Sequence, residues 1–164
     1  MTGRSLRATI NQTEVGTLQE VNGLWSFQYA ANWVDDPQGF ALSPHLPLTA
    51  DPLLDGASRR PVQWYFDNLL PEEGQRALLA GDAKLDVADA FGLLAWYGAE
   101  SAGSLTLLPP EAVPQTDEPL RPLPDDLLEA RIRQLPKAPL THAAIKRMSL
   151  AGAQHKLEIG RAHV

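Results

Sequence analysis

The chain has 164 residues, 44% of them hydrophobic, no Cys and a formal net charge of −6. That hydrophobic content supplies a core for one domain plus an appendage, while the lack of Cys excludes disulfides and thiolate metal sites; the acidic balance disfavours direct nucleic-acid binding, which needs clustered Lys and Arg to release counterions. The N-terminus lacks the apolar run of a signal peptide and no later stretch reaches the length needed to cross a bilayer, so a cytoplasmic location is expected.

Leu6, Ala8 and Ile10 alternate with Arg7, Thr9 and Asn11, the period of a half-buried strand. Val15 to Val21 predicts a second strand leading into Asn22-Gly23, the dipeptide best suited to a tight hairpin turn. The returning strand sets Trp25, Phe27 and Tyr29 on one face as core, and Trp33 is expected to join them. Pro37, Pro44, Pro47 and Pro52 each remove a backbone donor, which predicts an irregular or extended connection over residues 35–60. Pro61 suits a first helical position, and Val62, Tyr65, Phe66, Leu69 and Leu70 recur at helical spacing on one apolar stripe. Pro71 interrupts that stripe. A short helix is expected from Glu72 to Leu79, ending at Gly81. Another follows, capped by Asp86, with Val87, Ala90, Phe91 and Leu94 buried and Gly98 as its stop. Ser104 to Leu108 reads as a closing strand.

Residues 109–124 hold six Pro among acidic residues, the composition of a stiff, solvated linker. Asp125 then begins a helix whose Leu128, Ile132 and Leu135 share a face and which Pro136 and Pro139 end. The expected fold class is α+β: a small antiparallel sheet or partial barrel packed with helices over residues 1–108. The linker (109–124), a helix with a Gly-containing loop (125–157) and a tail (158–164) follow.

Asp67, Asn68, Glu72 and Glu73 suggest a metal or acid-base cluster at first sight, but they read better as solvent-side positions of an amphipathic helix or as caps around Pro71. His45, His142, His155 and His163 lack metal-binding spacing, and no metal is assigned. Met148 to Lys156 is a small-residue loop with a Lys at its exit. Ala and Gly there allow backbone N–H groups to approach a phosphate, and the Lys adds positive charge. Phosphoryl transfer needs further parts, including metal-holding carboxylates and a residue that orients the nucleophile, so no catalytic residue is assigned within the chain.

Several stretches together carry a likeness to a known family. They are Val15-Gly16-Thr17-Leu18, Phe27-Gln28-Tyr29 with Trp33, Leu42 to Leu48, Phe66-Asp67-Asn68-Leu69-Leu70-Pro71-Glu72, Asp89-Ala90-Phe91-Gly92-Leu93-Leu94, Gly98 with Ala102-Gly103, and Ser149 to Leu157. In order and spacing they resemble the HipA family, the serine/threonine kinase toxins of bacterial type II toxin-antitoxin systems, over residues 5–157. The resemblance implies that Ala151, Gly152, Ala153 and Gln154 cover the phosphates of ATP, that Ser149 is the loop's autophosphorylation site, and that ATP and Mg²⁺ serve the intact kinase. It also implies a small HipB-like DNA-binding antitoxin as partner and an aminoacyl-tRNA synthetase as substrate class.

After Leu157 the pattern departs from the family, which continues there into an apolar strand. Glu158 to Val164 matches the translation of a common sequencing-library adapter, so a non-native tail and a gene that continues are expected. The function expected for the chain is the N-terminal fragment of such a kinase toxin, not catalytically competent alone. The alternative is a non-enzymatic regulator, because in some related systems this subdomain is a separate protein that restrains a shorter kinase.

Overall fold

The structure is a computed structural model, and it describes residues 3–99, 101, 104–112 and 122–134. Five strands form one antiparallel sheet: β1 (Arg4–Ile10), β2 (Thr13–Val21), β3 (Leu24–Tyr29), β4 (Leu53–Leu54) and β5 (Thr106–Leu108), in the order β4-β3-β2-β1-β5. Among the described residues there are five helices: α1 (Ala31–Asp35), α2 (Pro61–Asp67), α3 (Glu73–Ala83), α4 (Ala90–Tyr97) and α5 (Asp125–Gln134). The α+β expectation therefore holds, as an open sheet rather than a closed barrel. No helix of the described residues is long and apolar enough to cross a membrane.

The sheet follows from period-2 patterning. Leu6 pairs Leu18 and Leu18 pairs Phe27, so these three side chains share a face, and all are almost wholly buried. The opposite face carries Ser5, Arg7, Thr17, Ser26 and Gln28, all half-buried. Asn22 (φ 53°) and Gly23 (φ 77°) turn the β2–β3 hairpin, both with the positive φ that a right-twisted two-residue turn demands. A register shift beside Ala8 and Thr9 inserts Val15 as a bulge, which lets Val15 and Gly16 both face inward.

α2 and α4 cover the apolar face. Phe66 of α2 meets Phe27 at 5.3 Å between ring centroids, and Phe91 of α4 meets Trp25 edge-on at 5.2 Å. The five-residue α1, where the sequence pattern gave no helix, buries Trp33, whose indole N–H donates to the Phe40 carbonyl at 3.1 Å. Between α1 and α2 the connection is irregular, as the prolines predict, apart from the turn at Ser43–Leu46 and the two residues of β4.

Helix ends differ from expectation in two places, the end of α3 and the start of α4. The helix after Pro71 passes through Gly81 and stops at Lys84, which takes the left-handed conformation (φ 55°). Asp89, not Asp86, caps α4: its side chain accepts from the Gly92 N–H at 3.0 Å, while Asp86 accepts from Ala88 N–H in a local turn. Val87 consequently lies outside the helix and is exposed. Gly98 ends α4 with ordinary right-handed geometry (φ −70°), so its lack of a side chain serves close packing rather than a left-handed cap.

The N-terminus of α2 depends on a residue six positions upstream. Arg60 supplies no side-chain cap, and instead the buried Asp55 carboxylate accepts from Val62 N–H and Gln63 N–H, each at 2.9 Å. A negative group there meets two otherwise orphaned donors and the positive end of the helix dipole. Asp55→Ala should cost about 2 kcal/mol, measured by urea unfolding, because the donors would remain buried and unpaired.

Tyr29 fixes the irregular connection to the sheet. Its hydroxyl donates to Leu46 O at 2.7 Å and accepts from Leu42 N–H at 2.9 Å. Burial pushes the phenols of Tyr29 and Tyr65 up, and mutual repulsion adds to the rise at Tyr65. The unfolded chain, ionising at about pH 10, then loses these protons first. Stability should be complete below that pH and fall as pH rises past it. Melts at rising alkaline pH would check this, and a Tyr29→Phe, Tyr65→Phe double variant should flatten the decline.

Candidate functional site

Ser149, Ala151, Gly152, Ala153 and Gln154 all lie outside the described residues, as do His142, His155 and His163. Within the described residues, a cleft of about 230 Å³ opens at one end of the sheet's inner face, between the β2–β3 hairpin, α2 and the start of α4. The register creates it. Arg4 pairs Glu20 and Glu20 pairs Trp25, so a charged rung caps the apolar rungs on the same face.

Arg4 holds this cleft together. Its Nε donates to Glu20 Oε2 at 2.8 Å and its Nη1 donates to both oxygens of Asp89, at 2.7 and 2.9 Å. Its guanidinium stacks over the Phe91 ring, 4.9 Å from the centroid. Burial alone would lower the Arg4 pKa, but the hydrogen bonds and charges of Glu20 and Asp89 outweigh it, and the net direction is upward. Both carboxylates also bind backbone: Glu20 Oε1 accepts from Gly23 N–H at 2.7 Å, and Asp89 Oδ1 caps α4. Across the cleft, Arg60 donates to Gly23 O at 3.2 Å and Gln63 Oε1 at 3.0 Å.

Chemically this is a clamp. Both carboxylates already accept from Arg4 and from backbone N–H groups, and no Ser, Thr, Cys or His lines the cleft to act as nucleophile or base. The ion pairs are partly solvated, so each contributes on the order of 0.5 kcal/mol, and their value lies in orienting α4 on the sheet.

The polar residues around Pro71 are likewise structural. Arg76 reaches Asp67 Oδ1 at 2.8 Å and donates through Nε to Val87 O at 2.9 Å, joining α2, α3 and the connection before α4. Asn68 ends α2 through its own N–H, bonded to Trp64 O at 3.2 Å, while Glu72 and Glu73 are exposed at the start of α3. Among the described residues no group of three or more His, Asp or Glu could hold a metal ion.

Sequence reasoning missed the Arg4, Glu20 and Asp89 cluster. Sixteen and eighty-five residues separate Arg4 from its partners, and only the topology unites them. One local signal was present: Asp89 stands directly before the apolar run Ala90-Phe91, where an N-cap belongs.

Comparison with known proteins adds three findings. The family model described as HipA N-terminal domain matches residues 6–108. A putative kinase, Y4mE of Sinorhizobium fredii (strain NBRC 101917 / NGR234), is 37% identical over 147 residues; the alignment covers 86% of this chain and 34% of that protein. The fold matches the solved HipA of Shewanella oneidensis MR-1, in complex with HipB and operator DNA, with a TM-score of 0.66 at 24% identity, covering 82% of this chain and 30% of that one. The chain thus spans about a third of the length of the relatives it matches.

Proposed function

The chain belongs to the HipA family, and on that premise we propose that it forms the N-terminal part of a serine/threonine protein kinase toxin of a type II toxin-antitoxin system. One observation carries the reading. The alignment with the putative kinase covers 86% of the chain, more than residues 1–108 contain, so the likeness runs past the last strand of the sheet toward the Ser149 loop. The sheet and its helices serve as a scaffold, for the cleft they form is an electrostatically closed clamp without a nucleophile. Ala151 to Gln154 cover the phosphates of ATP in the intact kinase, Mg²⁺ is held by carboxylates outside this chain, and Ser149 is the modification site. The solved relative's complex with HipB and DNA supports a HipB-like antitoxin as partner, with nucleic acid reached through that partner. The kinase substrate is a protein, in the class of aminoacyl-tRNA synthetases.

Residues 1–164 incubated with radiolabelled ATP and Mg²⁺ should incorporate no phosphate, into themselves or an added synthetase. Incorporation would locate catalytic machinery inside the chain and defeat the proposal. A second reading, a regulator acting on a separate kinase, draws support from the self-contained core that β5 completes at Leu108, where the family match also ends. The adjoining reading frame separates the two: a frame opening in mid-lobe favours the kinase fragment, and one encoding a kinase with its own complete loop favours the regulator.

A further inference from the structure

We draw no further inference here: the strongest candidate, the apolar stripe of α5 formed by Leu127, Leu128 and Ile132, carries nothing because nothing in the structure shows what covers it.

Discussion

Phe66→Ala should cost about 3–5 kcal/mol, enough to abolish cooperative folding of this subdomain or leave it barely stable. Phe66 has no exposed surface and lies where α2 crosses the sheet, its ring 5.3 Å from Phe27 and 5.0 Å from Tyr65. Truncation leaves a cavity that cannot close, because the surrounding rings are fixed by other bonds: the Tyr29 hydroxyl beyond Phe27 is held at both Leu46 and Leu42. Urea unfolding followed by Trp fluorescence reads the loss directly. Phe66→Leu, which keeps much of the volume, should lose distinctly less; equal losses would mean that the ring's packing is not what matters.

Gly98→Val should be comparably severe, costing about 3 kcal/mol or more, for the opposite reason. A β-carbon at Gly98 would sit 2.4 Å from Leu94 O, 2.7 Å from Leu107 Cβ and 2.9 Å from Leu107 O. Two of these atoms are backbone and cannot swing aside. The same close approach lets Leu107 N–H donate to Gly98 O at 2.6 Å, which joins the end of α4 to β5. The variant must push β5 away from α4 and lose that bond, so amide exchange should accelerate first at Leu107. Unchanged protection there would show that the helix and strand are less closely coupled than this geometry requires.

The sheet was legible because its signals are local. Alternation over Leu6 to Ile10, the Asn22-Gly23 turn and the row Trp25, Phe27, Tyr29 each depend on a few adjacent residues, and all three take the expected places. Helix stripes were also legible: Val62 and Phe66 are buried as their spacing predicts, although α2 ends at Asp67 and Leu70 reaches the core from a turn. Helix ends were less so. Two aspartates three residues apart, Asp86 and Asp89, offer competing caps, and only packing selects the one that Arg4 also holds. Asp55 escaped notice for the same reason, since it caps a helix that begins six residues later across a turn. The Arg4 clamp lay beyond any local pattern, and the Ser149 loop rests on resemblance alone.

The strand order carries a consequence for how the protein is made. β1, synthesised first, lies between β2 and β5, and its partner Leu107 is 99 positions from Ala8. On the ribosome the two N-terminal hairpins can pair at once, but one side of β1 stays open until Leu108 has left the exit tunnel. A nascent chain stalled before that point presents a bare hydrogen-bonding edge, the feature that drives chains to associate with one another.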